Sequence, residues 1–340
     1  MNKILLLFLL GISLVAATAL MVEDQENDRK RLNGFTAAAS TTAWMGPDTA
    51  FIPDNDQGKQ VRYGRELIVN TAKYLGPKGS VAHLSNGMNC QNCHLNAGAA
   101  PWGNNYFAVA STYPRFRARS GQLETKVKRI NDCFERSLAG QALDSTGREM
   151  LALIAYMDWL GTHVPKDSTP VGSGIAELPF PDRAADPVKG QLVYEKKCAS
   201  CHGTDGLGKA DKTGIAYQFP PLWGPHSYNE AAGLFRMSRF AGFVKDNMPL
   251  GATHAKPQLT DEEAWDVAAF VNSQPRPTHP FLAADWPDVS KKPLDHPFGP
   301  YADPFSEAEH KYGPFGPIRQ HRKAAKAAKA AQQAQGQPTK

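Results

Sequence analysis

Cysteine is scarce in this 340-residue chain, charged residues make up only 21% of it, and no long apolar run occurs after residue 22. Each shortage removes a class of protein. Without a later apolar run there is no second candidate for a transmembrane helix. Only five cysteines are present, and four of them fall in two copies of one pattern, Cys90-Gln91-Asn92-Cys93-His94 and Cys198-Ala199-Ser200-Cys201-His202. Neither copy has another cysteine pair nearby, which argues against a four-cysteine zinc site. The histidine directly after each pair argues against a thioredoxin-like dithiol. The pattern is that of covalent haem attachment: two thiols bond to the vinyl groups of one haem, and the adjacent histidine, His94 or His202, is the proximal iron ligand. The expected cofactors are therefore two covalently bound haem c groups. Their four propionates would largely offset the formal net charge of +5, so no nucleic-acid partner is inferred.

The beginning of the chain reads as an export signal: Lys3 supplies positive charge, residues 4–15 the apolar run, and Ala17-Thr18-Ala19 a small-residue cleavage site. Cleavage is expected after Ala19, leaving no stable membrane span. Retention as an anchor stays open, because residues 4–22 carry no charge. Haem attachment to CxxCH takes place outside the cytoplasm, so a periplasmic location is expected.

The rest of the chain reads as a mainly α protein: two tandem class I cytochrome c domains with a Pro/aromatic-rich C-terminal extension. After the signal (1–19) and a tether (20–50), a first domain spans 51–164, with a helix over 61–75 before its CxxCH and a closing helix over 148–160. A linker (165–185) leads to a second domain (186–275), with helices over 188–197 and 262–271, the latter announced by a capping box of Thr260 and Glu263. Gly64 and Gly190 in the opening helices, and Ala155-Tyr156 and Ala269-Phe270 in the closing ones, would let each pair cross closely. Residues 276–320 alternate proline with aromatics and read as an extended arm wrapping the domains, without regular helix or strand. The basic Ala/Lys/Gln tail, 321–340, has no apolar face and is expected to be disordered or only partly helical.

The sixth position on each iron separates electron transfer from catalysis. For the second haem the candidate is Met248 of Asn247-Met248-Pro249, with Met237 and Lys245 as alternatives; Lys245 would ligate only as a neutral amine. In the first domain no Met-Pro follows His94. The fifth cysteine, Cys133, stands there instead, and such an odd thiol pairs between chains, packs inertly in the core, or does chemistry. On a helix over 120–138, Arg129, Cys133 and Ser137 share one face. Ferric iron and arginine both favour a thiolate, and the arginine fork suits a small oxyanion. Arg115, Arg117 and Arg119 lie just upstream.

The segment Asn89-Cys90-Gln91-Asn92-Cys93-His94-Leu95-Asn96-Ala97-Gly98, the Arg129–Ser137 stretch, and a second CxxCH followed by Met-Pro resemble the dihaem thiosulfate dehydrogenases. These also act as tetrathionate reductases, and their first domain is similar to SoxA-type cytochromes. The resemblance spans roughly residues 50–320. It implies that Cys133 is the distal ligand of the first haem and essential to catalysis, with Arg119, Arg129 and Ser137 binding the anion. The implied reaction couples two thiosulfates into tetrathionate. It releases two electrons to a periplasmic cytochrome c or a high-potential iron-sulfur protein. The rival readings are a non-enzymatic electron-transfer cytochrome and a SoxA-like sulfur-oxidation subunit. A dihaem peroxidase fits less well, because His163 and His226 are weak as acid/base groups.

Overall fold

The computed structural model describes residues 42–335. The export signal and most of the tether lie outside the described residues, as do residues 336–340. No described helix is long and apolar enough to cross a membrane.

Two small helical bundles follow one another. In the first, α1 (Asp56–Val69) begins before the expected position because the Asn55 side chain accepts from the Gly58 N–H, 2.9 Å away. It stops at Asn70, and a short α2 (Thr71–Leu75) completes the predicted run. In the second, α5 (Pro187–Lys197) has proline in its first turn, where the missing N–H costs no intrahelical bond. α7 (Asp261–Ser273) opens on the predicted box: Glu263 N–H donates to Thr260 Oγ1 (3.1 Å), and Thr260 N–H donates back to Glu263 Oε2 (2.9 Å). Between them lies α6 (Met237–Asn247).

The opening and closing helices of each bundle cross at glycine. A Cβ on Gly64 would stand 1.9 Å from the Ala152 carbonyl oxygen and 2.8 Å from the Tyr156 Cβ on α4 (Arg148–Leu160). A Cβ on Gly190 would stand 1.9 Å from the Asp266 carbonyl and 2.9 Å from the Phe270 Cβ. The two crossings repeat one geometry. The aromatic partner is the expected one in each, whereas the touching carbonyl lies one turn earlier than the alanine named from sequence.

Three sequence expectations need correction. The single helix over 120–138 is instead a hairpin, a helix and a wide turn. β1 (Arg115–Arg117) pairs antiparallel with β2 (Gln122–Glu124), reversing at Gly121 in the left-handed region (φ +66°). α3 (Lys126–Asp132) then starts at a Thr125 cap and runs into a π-helical turn, Cys133–Ser137. There the Leu138 N–H donates five residues back, to the Cys133 carbonyl (2.9 Å).

The arm is not free of helix. After Lys292 donates to the carbonyls of Phe298, Gly299 and Pro300 (3.0 Å each), α8 (Glu307–Tyr312) forms on a Ser306/Glu309 capping box. The tail is helical as well: α9 spans Phe315–Gln335. The apolar anchor that its Ala/Lys run lacks comes from the preceding turn. Phe315 and Ile318 are fully buried, Phe315 against Phe180 and Trp265, and Arg322 is paired to the buried Asp303 at 2.7 Å. Pro317 is tolerated in the first turn, and alanine propagates the helix outward.

Polar contacts seat the bundles on each other. Asn229 Nδ2 donates to the Glu135 carbonyl (2.8 Å), Asn247 Nδ2 to the Trp102 carbonyl (3.2 Å), and Asn86 Nδ2 to the Ser227 carbonyl (3.1 Å). The arm adds a buried fork: both terminal nitrogens of Arg136 reach Asp285, at 2.6 and 2.8 Å. The helix crossings are the test of this fold. Gly64→Ala or Gly190→Ala should each destabilise the haem-loaded protein by about 3 kcal/mol in denaturant unfolding. Gly316→Ala, with open space around it, should change little.

Candidate functional site

Each CxxCH is tied down by the polar groups around it. The Asn89 side chain accepts from the Ala72 N–H (2.8 Å), and Cys90 N–H donates to Thr71 Oγ1 (2.9 Å), so the first motif is fastened to the start of α2. His94 donates from Nδ1 to the Asn104 carbonyl and stacks on Tyr106 at 4.4 Å. The loop making that carbonyl available passes through left-handed Asn96, Ala97 and Gly98, and a side chain at Gly98 would run into Tyr106. In the second bundle His202 Nδ1 donates to the Pro220 carbonyl at 2.9 Å. A carbonyl partner requires a proton on Nδ1, so in both histidines Nε2 is left for a metal.

Two cavities open beside these motifs. One, of about 520 Å³, is lined by Cys90, Cys93 and His94 and also by Arg129, Cys133 and Ser137. The other, of about 480 Å³, is lined by Cys198, Cys201, His202 and Met248 among apolar side chains, and Cys93 reaches it too. Burial pushes the thiols of Cys90 and Cys198 up to about 11 and that of Cys93 up to about 12. It also pushes His94 down to about 4, so that imidazole is neutral, as iron ligation requires. Paired thiols, neutral imidazoles pinned through Nδ1, and cavities of this size fit haem c.

Of the site candidates, Arg129, Cys133 and Ser137 meet in the first cavity, the first brought there by α3 and the other two by its π turn. The adjacent sulfur of Cys133 raises Arg129 above its ordinary range and holds it charged despite burial. Arg119 lies further out, along a connecting cavity of about 310 Å³, and its Nη2 is paired with buried Asp132 at 2.6 Å. Arg117 of β1 lines both cavities. So does Arg239, from α6 in the other bundle. It had no signal in the sequence, standing a hundred residues from Cys133 with nothing in its local pattern to mark it.

At the second cavity Met248 follows α6 and faces the same space as His202. Lys245 points elsewhere: its Nζ donates to the Leu259 carbonyl (2.8 Å) and pairs with Asp261 (2.6 Å). Met237 is buried at the far end of α6 and does not line the cavity.

The SoxA/TsdA cytochrome c domain family matches residues 80–165, and the cytochrome c family matches residues 187–275. A thiosulfate dehydrogenase of Allochromatium vinosum is 41% identical over 245 residues, covering 70% of this chain and 86% of that protein. One from Stutzerimonas stutzeri is 35% identical, covering 83% of this chain and 89% of its own length. Among solved structures, the thiosulfate dehydrogenase TsdBA of Marichromatium purpuratum, in its as-isolated form, matches with a TM-score of 0.65 at 33% identity. The match covers 71% of this chain and 51% of that one.

The geometry at the second cavity yields a direct expectation. Met248→Gly should lower one of the two haem midpoint potentials by on the order of 0.1 V, within the roughly 0.8 V that axial ligands span. Lys245→Ala should leave both where they were. A potentiometric titration of the two variants beside the wild type decides it.

Proposed function

Because the chain belongs to the thiosulfate dehydrogenase family of dihaem c-type cytochromes, we propose that it oxidises thiosulfate at the cavity shared by His94, Arg129, Cys133 and Ser137, joining two thiosulfates into tetrathionate. An S–S bond forms between the outer sulfurs of two S₂O₃²⁻ ions, giving S₄O₆²⁻ and two electrons, with no proton taken or released. The bound haems supply the one-electron redox capacity that this stoichiometry needs. The same site run backwards reduces tetrathionate.

The main support is the convergence of a charged guanidinium, a sulfur and a hydroxyl on the cavity that His94 also lines. Two dianions repel, so the protein must neutralise them before their sulfurs approach. Arg129 does this best, because it is charged, enclosed and engaged in no ion pair among the described residues. Ser137 offers a hydroxyl donor to a sulfonate oxygen. With haem bound, Cys133 would be the ligand to its second face, and its soft sulfur would stand beside the reacting sulfurs. Arg119, already paired to Asp132, shapes the approach by positive charge more than by direct contact. His202 and Met248 frame the exit for electrons, which pass to a small periplasmic cytochrome c or a high-potential iron-sulfur protein.

Ferricyanide reduction by thiosulfate, with tetrathionate quantified, tests the reading. Wild-type protein should turn over. Cys133→Gly should keep both haems and lose at least about 100-fold in kcat, and Arg129→Ala should lose about 100-fold in kcat/KM. A wild type that leaves ferricyanide oxidised would make the chain an electron carrier.

A further inference from the structure

We propose that Arg239 completes a second anion subsite, so that the substrate site is built across both bundles and takes one thiosulfate sulfonate from each side. The inference rests on the proposed function and adds a residue from the second bundle that the family resemblance does not name.

The product's shape requires two subsites. Thiosulfate ions that meet sulfur to sulfur carry their sulfonates at opposite ends, so one cationic group beside Cys133 cannot neutralise both. Arg129 and Ser137 serve one end. Besides Arg129, the connecting cavity of about 310 Å³ brings four further arginines to the neighbourhood of Cys133. Their partners sort them. Arg119 is held by Asp132 at 2.6 Å, and Arg236 by the buried Asp295 at 2.5 Å. Arg117 has only a long contact to Glu124, at 3.8 Å. Among the described residues Arg239 touches a single carboxylate, Glu177, at 3.3 Å, and that side chain is 82% exposed and therefore weakly held.

Arg239 is thus a partly buried guanidinium, lining the same two cavities as Cys133, without a strong counter-ion. Its side chain is 36% exposed, so water carries its charge until an anion displaces that water. Of the carboxylates on the connecting cavity, Asp285 is engaged by the Arg136 fork, and Glu230 makes only a 3.4 Å contact with the His279 N–H. Trp286 supplies a further donor: it lines this cavity, and its indole N–H is buried with no partner among the described residues. A planar fork and a neutral N–H lining one cavity are donors suited to a sulfonate.

The test is a thiosulfate titration of the full haem-loaded protein, Arg239→Gln and Arg239→Lys beside wild type, together with potentiometry of both haems. Arg239→Gln should raise KM for thiosulfate at least tenfold and for tetrathionate similarly in the reverse assay. Both midpoint potentials and the unfolding midpoint should stay unchanged, and Arg239→Lys should recover part of the loss. An unchanged KM in an active enzyme overturns the subsite and leaves the proposed function standing. A shifted potential accompanying the KM change overturns it too, assigning the guanidinium to a haem propionate. A wild type without thiosulfate turnover removes the proposed function, and the subsite falls with it.

Discussion

Two backbone carbonyls, those of Asn104 and Pro220, organise the molecule. Each takes the Nδ1 proton of a motif histidine and so aims the opposite ring nitrogen into a cavity. Much of the surrounding structure serves to put that carbonyl in place. In the first bundle the chain passes through three consecutive left-handed residues, and Tyr156 on α4 reaches down to bond the Ala97 carbonyl at 2.9 Å. In the second, Gly203 and Gly206 make the corresponding turn, and Tyr194 bonds the Gly203 carbonyl at 2.6 Å. The tyrosine comes from the closing helix in one bundle and the opening helix in the other, so the same constraint is met by different residues.

The bundles are not independent carriers that happen to be joined. Arginine from α6 enters the cavity that holds Cys133, while the residue just past the other end of that helix, Met248, faces the second motif histidine. Eleven helical residues span about 16 Å, so one rigid element reaches both sites. The polar seams around it, Asn229 to Glu135 and Asn247 to Trp102, hold that relation. A pair of cavities linked this way depends on the relative placement of the bundles, because a slip at the seam would move Arg239 in one and Met248 in the other together.

Much of this was readable from residues alone. Both attachment motifs, the four long helices that frame them, the Thr260/Glu263 box and the glycine crossings depend on neighbours a few residues apart or on steric rules with one answer. The misreadings share a cause. The π turn at Cys133 and the helical tail depend on distant partners: Arg136 on Asp285, and Phe315 on Trp265 and Phe180. Local propensity sees a helix over 120–138 and an unanchored tail, because the side chains that overrule it lie far off in sequence.

Membership of the family and the two haem c groups were determined by the sequence, since covalent attachment demands particular residues at fixed spacing. The tertiary structure alone decided which arginines remain available. Charge on a guanidinium is given by its residue type, but its freedom to bind an anion depends on whether a carboxylate already holds it. Asp132 and Asp295 hold Arg119 and Arg236, while Arg129 and Arg239 face the cavity.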